Sequence, residues 1–166
     1  MQDSQLKWGT LFMNAHIYEI GRLQFEVNRY EYQIENFDMK DEFCIDVHIP
    51  RGEKLDNALV EESLKTAQKI LPKIYKELPS EPKFFLFSWL LSKEVNALLP
   101  ENSNIKSFSE RFEIIKTWTG SSLNHFLFNK YDWYIKNFPE ESSLQRVIKQ
   151  KLLENEKFYD AIGVLK

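Results

Sequence analysis

An alternating run of apolar residues that leads straight into a helical run is the feature that most constrains this fold. Residues 43–49 read FCIDVHI, and their apolar members recur at every second position: Phe43, Ile45, Val47 and Ile49. That period predicts a half-buried strand. Pro50 and Gly52 break it. A spacing of four and three residues then predicts a helix whose apolar face is Val60, Leu64, Ala67, Leu71, Ile74 and Leu78, with Asp56 as its N-cap.

The short turn between this strand and this helix carries two positive charges. Arg51 and Lys54 flank its single glycine, Gly52. Backbone N–H groups near the start of a helix can face an anion, and the two cations would favour the same ligand. The turn is therefore a candidate phosphate cradle, although a solvated charged turn has the same composition.

The other periodic segments predict a mixed sheet. Strands are expected at 15–20 and 22–32, joined at Gly21-Arg22 unless they form one bent strand, and the apolar parity shifts after Asn28. Residues 35–42 are a polar turn. Pro72 is expected to end the first helix near Ile70, with a second helical turn after it, or to kink it. The remaining expectations are a central strand at 84–87, a helix over 93–99 capped by Ser92, a loop at 100–107, strands at 111–116 and 123–128 joined as a hairpin around Thr119-Gly120, and a helix over 140–154.

Length, charge and composition exclude several classes of protein. The chain has 166 residues, enough for a single domain, 1–166, with a real core. The net charge of −3 argues against nucleic-acid binding. Its apolar runs are too short to span a bilayer and its N-terminus has no secretory pattern. With one cysteine there is no internal disulfide, which suits the cytoplasm. His16, His48 and His125 lack the spacing of metal ligands.

Several short strings identify the chain as similar to one family. They are GRLQFE at 21–26, HIPRGEKL at 48–55, SWLL at 88–91, NSNI at 102–105 and SSLQR at 142–146. Together with the predicted element order, they resemble acyltransferases with a GNAT-like C-terminal domain, in the GNAT N-acyltransferase superfamily. The resemblance implies an α+β fold with a mixed, mostly antiparallel sheet flanked by helices. It covers the C-terminal part of that family only.

The resemblance also implies a ligand and its site. In this fold a strand feeds a loop that binds the pyrophosphate of acyl-CoA at a helix N-terminus, and the pantetheine arm lies where the next strand splays away. The cofactor-binding residues would then be Val47, Ile49, Arg51, Gly52, Glu53, Lys54 and Leu55. Acyl-CoA, such as acetyl-CoA, would be the co-substrate, with no metal.

Two residues are candidates for the base that deprotonates an acceptor amine. His48 lies near the end of its strand, with parity opposite to Val47 and Ile49, and histidine takes up a proton near neutral pH. A strand glutamate has this role in many acyltransferases of the fold, which implies Glu26 as the second candidate. Either residue would have an ordinary structural role if the site is not catalytic.

Other residues have competing interpretations. Cys44 is more typical of a small buried residue than of a nucleophile. By analogy, Ser88 and Trp89 would lie near the pantetheine arm. Alternatively, Ser88 would lead into a helix and Trp89 would belong to the core. Asn104 and Arg146 are matched by resemblance alone, and a buried Arg146 would pair with a carboxylate such as Glu113. The aromatic segment 131–138 would cover the sheet, form a lid or form a dimer surface.

Two departures from the family pattern leave the function open. The loop RGEKLD has one glycine where most relatives have two, and Glu53 brings a negative charge towards the expected phosphates. Relatives also carry a large N-terminal half. The leading hypothesis is an acyl-CoA-dependent N-acyltransferase, or its acyl-CoA-binding part, acting on a small-molecule or protein amine. The alternative is a non-catalytic binding module. A partner chain that supplies the missing half, and a homodimer, are the expected partners, with no nucleic acid and no membrane.

Overall fold

The computed structural model describes residues 16–30, 42–129 and 134–166. The chain divides into two compact units, Met1–Leu86 with Leu165 and Phe87–Val164 with Lys166. Expectations for residues 1–15, 31–41 and 130–133 lie outside the described residues. They include the start of the first strand at Ala15, the end of the second at Tyr32, most of the turn at 35–42 and the beginning of the aromatic segment.

The first unit is built on strands and one long helix. Strands β1 (Ile17–Ile20), β2 (Leu23–Arg29) and β3 (Phe43–His48) pair antiparallel in sequence order. Strand β4 (Phe84–Ser88) pairs parallel with β3 through Ile45↔Phe84 and Asp46↔Phe85. Helix α1 (Asn57–Ile74) contacts β1 and β2. The α+β class with a mixed, mostly antiparallel sheet is thereby confirmed, as are two separate strands around Gly21.

The alternation of apolar residues sets the core of this unit. Leu23, Phe25 and Val27 of β2 are buried, as are Ile45 and Val47 of β3. The predicted face of α1 is buried as well, through Val60, Leu64, Ala67 and Leu71. The opposite parity of β2 and β3 carries polar side chains, so the two faces of these strands differ in chemistry.

Helix α1 runs through Pro72 to Ile74, so the expected end near Ile70 is wrong. Pro72 lies in the last turn, where its missing N–H removes a single helical hydrogen bond. The turn closes normally beyond it, because the N–H of Tyr75 donates to the carbonyl of Leu71 at 2.9 Å. The predicted N-cap, Asp56, is confirmed, with its carboxylate accepting from Ala58 and Leu59.

The second unit alternates short helices with strands. After a 3₁₀ turn at Trp89–Leu91 come helices α2 (Lys93–Ala97) and α3 (Asn104–Ser109) and strand β5 (Phe112–Thr119). Helix α4 (Ser122–Phe128), a 3₁₀ turn at Ile135–Asn137, helix α5 (Ser143–Leu153) and strand β6 (Tyr159–Leu165) complete it. Strand β6 lies beside β5.

In this unit two sequence expectations are wrong and one strand was not predicted. Residues 104–109, partly assigned to a loop, form α3, and the second strand of the predicted hairpin is helix α4. The carboxylate of Asp160 explains α4: it accepts from both the backbone N–H and the hydroxyl of Ser122 and so fixes the first turn. Strand β6 was not predicted, because four consecutive buried residues, 160–163, leave no period of two.

Among the described residues, no helix is long and apolar enough to cross a membrane. In the same residues, no group of three or more His, Cys, Asp or Glu side chains is arranged to hold a metal ion.

Helix α5 offers a direct test of this local structure. Ser142 forms a capping box: its hydroxyl accepts from the N–H of Gln145 at 3.1 Å, and the Gln145 side chain accepts from the N–H of Ser142 at 2.9 Å. We expect Ser142→Ala to lower the free energy of unfolding by about 1 kcal/mol, measured by urea denaturation. The neighbouring exposed Ser143, at the first helical position, is the matched control, and Ser143→Ala should leave stability nearly unchanged. Equal effects of the two variants would contradict the capping role.

Candidate functional site

The two candidate bases lie against each other. Nε2 of His48 is 2.9 Å from Oε2 of Glu26. The strand register explains the contact, because β2 pairs with β3 at Gln24↔His48 and Glu26↔Asp46, which makes Glu26 and His48 diagonal neighbours on one face. Their side chains are 30% and 16% exposed, His48 and Glu26 respectively, so the pair is reachable from solvent.

A third ionisable residue, Asp46, lies directly opposite Glu26 in the register and was missed from the sequence. It is 7% exposed, and its carboxylate accepts from the Tyr30 hydroxyl at 2.5 Å and from the Asn28 side-chain amide at 3.0 Å. Burial raises the pKa of Asp46, while the bonds from Tyr30 and Asn28 act in the opposite direction. Its place in the alternation with Cys44 and His48 was the available signal.

The polar face of β2 and β3 has a buried part around Asp46 and a more exposed part at Glu26 and His48. Tyr30 and Asn28 hold Asp46 from within, and the Tyr30 ring packs edge-on against Phe85 with centroids 5.8 Å apart. Glu26 and His48 form the more open part of the same face. A carboxylate paired with an imidazole can take a proton from a group that approaches and share it between them.

Cys44, on the same face, is confirmed as a buried residue rather than a nucleophile. It is 0% exposed, and its sulfur lies 3.7 Å from the carbonyl oxygen of Asn28. Burial raises the pKa of the thiol well above its usual range, and the nearby Asp46 adds to the effect. The reactive thiolate is therefore scarce at neutral pH.

The parallel pairing of β3 with β4 stops before β3 ends. The N–H of Ile45 donates to the carbonyl of Lys83 at 3.0 Å, and the register ends at Asp46↔Phe85. The backbone groups of a strand alternate between its two edges, so Val47 directs its own to the same edge as Ile45. The carbonyl of Val47 lies beyond the last register pair, and Ile49 follows the end of β3.

The loop that follows is exposed at its charged residues. Arg51, Gly52, Glu53 and Lys54 are exposed, whereas Leu55 is buried. Gly52 has φ of 118°, a conformation that side chains disfavour. Among the described residues, the N–H groups of 51–55 donate to no acceptor. The loop therefore presents backbone donors together with two cations and one carboxylate.

The start of α1 is less available to an anion than the sequence suggested. The Asp56 carboxylate already accepts from the N–H groups of Ala58 at 2.9 Å and Leu59 at 3.2 Å. These are first-turn donors that an external phosphate would otherwise use. Any phosphate site at this place depends on the loop rather than on those two groups.

Arg22, in the turn between β1 and β2, holds the loop from behind and was not among the sequence candidates. It is 7% exposed; its Nε donates to the carbonyl of Lys54 at 3.0 Å, and its Nη2 donates to the carbonyl of Glu53. Its backbone N–H donates to the Ser63 hydroxyl of α1 at 2.8 Å. Only its place in the string GRLQFE singled it out beforehand.

The other sequence candidates have structural roles. The Ser88 hydroxyl accepts from the N–H of Leu90 at 3.1 Å, and Trp89 is buried. Arg146 is exposed and donates to the carbonyls of Glu140 and Glu141, so the expected buried ion pair is wrong. Asn104 opens α3. Of the aromatic segment, Phe138 is buried and Tyr134 is 74% exposed, while residues 131–133 lie outside the described part.

Comparison with known proteins identifies the family. The family described as GNAT-like C-terminal domain matches residues 17–165, and the chain belongs to it. No curated protein matches the chain.

Solved structures share the fold. An acyltransferase in complex with decanoyl-CoA and teicoplanin is 22% identical, with a TM-score of 0.81 over 96% of this chain and 49% of that chain. An acyltransferase in complex with decanoyl-CoA is also 22% identical, with a TM-score of 0.82 over 95% of this chain and 48% of that chain. The chain thus spans about half the length of these structures.

The buried carboxylate predicts a pH dependence of stability. Because its pKa is raised above the usual 3.8, Asp46 binds a proton more tightly in the folded protein than in the unfolded chain. Its contribution to the free energy of unfolding is therefore greatest at low pH and falls as the pH rises through its folded-state pKa. We expect the stability of the wild type relative to Asp46→Asn to fall as the pH rises above the usual pKa of 3.8 and through the raised folded-state pKa, measured by urea denaturation.

Tyr30→Phe sharpens this test. The variant removes a hydrogen bond that favours the ionised carboxylate, so the pKa of Asp46 should rise further and the loss of stability should extend to higher pH. A wild-type stability that rises with pH relative to Asp46→Asn would contradict the account.

Proposed function

We propose that this chain binds acyl-CoA and acts as an acyl-CoA-dependent N-acyltransferase, or as the acyl-CoA-binding part of one. The observation that carries the proposal is the early end of the β3–β4 pairing, followed at once by a loop whose N–H groups donate to no acceptor among the described residues. The acyltransferases of similar fold were solved with decanoyl-CoA, CoA and octanoyl-CoA, which supports the same ligand class here.

The pantetheine arm would lie along the unpaired end of β3. Its amides have the same donor and acceptor groups as a peptide strand. The carbonyl of Val47 would pair with them from the edge of β3 that faces β4, and the backbone of Ile49 would continue the pairing. The last register pair of β3 with β4 on this edge is Asp46↔Phe85.

The pyrophosphate would lie at the loop. Arg51 and Lys54 would supply positive charge. The backbone of Gly52, Glu53 and Leu55 would come close to the phosphates and donate N–H hydrogen bonds to them. Glu53 and Asp56 oppose the two exposed cations, so the loop alone is electrically balanced. Backbone donors must therefore supply much of the binding.

The chemistry would be direct transfer. The acceptor nitrogen attacks the thioester carbon, a C–N bond forms, and the C–S bond breaks to give CoA thiolate. The proton lost by the nitrogen passes to the Glu26–His48 pair, and the thiolate takes up a proton from solvent. Glu26 lies on β2, and His48 lies on β3, the strand that would hold the pantetheine.

The acceptor in this proposal is an amine on a small molecule or a protein, and no metal takes part. A cytoplasmic location and a partner chain that completes the acceptor site belong to the same proposal.

One observation favours the alternative of a non-catalytic binding module. The first-turn donors of α1 are already satisfied by Asp56, and Glu53 is exposed beside the cations. A loop in this state would bind a pyrophosphate less tightly than a loop rich in glycine and free of carboxylates. The two proposals separate on whether CoA binds.

Reversal of the loop charge tests acyl-CoA binding directly. We expect calorimetric titration of the wild type with acetyl-CoA and decanoyl-CoA to show micromolar binding. Arg51→Glu/Lys54→Glu should weaken it by more than about tenfold, because each lost phosphate contact is charge-assisted.

A double variant elsewhere in the first unit controls for the change in net charge. Lys69 and Lys76 are exposed and distant in sequence from the loop, and Lys69→Glu/Lys76→Glu changes the charge equally. It should bind as the wild type does. Absence of heat and of any rise in melting temperature with either ligand would exclude acyl-CoA binding by this chain and favour the module.

A further inference from the structure

We infer that Arg22 is a positioning residue for the pyrophosphate of CoA: by binding two loop carbonyls it fixes the N–H groups of Lys54 and Leu55 as the phosphate donors. This inference rests on the proposed function. It moves the anion site from the start of α1 to two consecutive peptide groups, and it gives a role to a residue that lies behind the loop.

The first step is the geometry of the peptide unit. In a trans peptide the C=O and N–H bonds point in opposite directions. The carbonyl of Glu53 shares its peptide unit with the N–H of Lys54, and the carbonyl of Lys54 shares its unit with the N–H of Leu55. Because the Arg22 guanidinium donates to both carbonyls, the two C=O groups point to its side of the loop. The two N–H groups are thereby held on the opposite side of the loop.

The second step is the state of those two donors. Leu55 is 7% exposed, and within the described residues its N–H has no acceptor, like that of Lys54. A backbone N–H without a protein acceptor must be satisfied by water or by a ligand. Two successive N–H groups on one side of a turn form a concave anion site.

The third step is the anchoring of the Arg22 backbone. Its backbone N–H donates to the Ser63 hydroxyl, and that hydroxyl donates to the carbonyl of Leu59 at 2.7 Å. Gly21 precedes it with φ of 60°, and a Cβ there would lie 2.5 Å from the Ser63 hydroxyl oxygen. The planar fork of arginine can serve two carbonyls at once, which a lysine ammonium cannot do with the same geometry.

The experiment uses the amide signals of the ¹⁵N-labelled full chain. Inorganic pyrophosphate, CoA and pantetheine are titrated in turn into the wild type and into Arg22→Ala, Arg22→Lys and Arg29→Ala. Arg29→Ala is the matched control, because it removes one positive charge from the other end of β2, where Arg29 lies over the Phe43 ring. Each Arg22→Ala titration is repeated with guanidinium ion at low, non-denaturing concentration and with ammonium ion.

Pyrophosphate should shift the Lys54 and Leu55 amides of the wild type and of Arg29→Ala. In Arg22→Ala its affinity, and that of CoA, should fall by about tenfold. Guanidinium should restore the loss and ammonium should not. Pantetheine, which lacks phosphate, should bind equally to all variants. Arg22→Lys should fold with its charge retained and still bind pyrophosphate more weakly than the wild type.

Two results would overturn the inference. One is wild-type pyrophosphate affinity in Arg22→Ala or, if that variant fails to fold, in Arg22→Lys. The other is a rescue in which guanidinium restores the melting temperature but not the affinity, which would make Arg22 a structural residue only.

The inference and the proposed function fail separately. A wild type that binds pyrophosphate at Lys54 and Leu55 but does not bind CoA supports the inference and contradicts the acyltransferase. A wild type in which pyrophosphate shifts neither amide contradicts the inference, whether or not CoA binds elsewhere.

Discussion

The site depends on the point at which β3 loses its parallel partner. The pairing ends at Asp46↔Phe85, while β3 continues to His48 and the chain turns into the loop. Unpaired backbone groups at a strand edge need water or a ligand. The same strand carries His48 on its polar face and leads into a loop whose N–H groups donate to no acceptor among the described residues. The three parts of the proposed site are therefore adjacent along the chain, on β3 and the loop that follows it.

On the polar face beside this edge, each ionisable side chain has hydrogen-bond partners. Asp46 is buried and held by two donors, and Glu26 and His48 are paired and partly open. Removing one partner of Asp46 would leave a buried acceptor underused, which costs more than the bond itself contributes. The internal contacts therefore stabilise the strand pair, and the Glu26–His48 pair is the more exposed part of the face.

Local patterns in the sequence located the main elements of the first unit, except for the end of α1. Period-two alternation located β3, three- and four-residue spacing located α1, and Asp56 marked its start. Strand β6 escaped because it is buried on both faces, and α4 was misread because its start depends on Asp160, 38 residues away. The end of α1 was misplaced because a proline in a last turn costs little.

The sequence named several residues of the candidate site but did not predict the contacts between them. Glu26, His48 and the loop were identified, but their contacts depend on the register of β2 with β3, which no single segment determines. Asp46 looked like one more polar residue of an alternating strand. Arg22 could not be assigned, because its two acceptors are backbone carbonyls more than thirty residues away and carry no side-chain signal.

A crystal structure of this chain grown with acetyl-CoA tests the central claim most directly. The account predicts the pantetheine amides paired with the backbone of Val47 and Ile49 beyond the last β3–β4 register pair, and the pyrophosphate at the loop. Acetyl-CoA bound elsewhere, with this edge of β3 covered by protein, would contradict it.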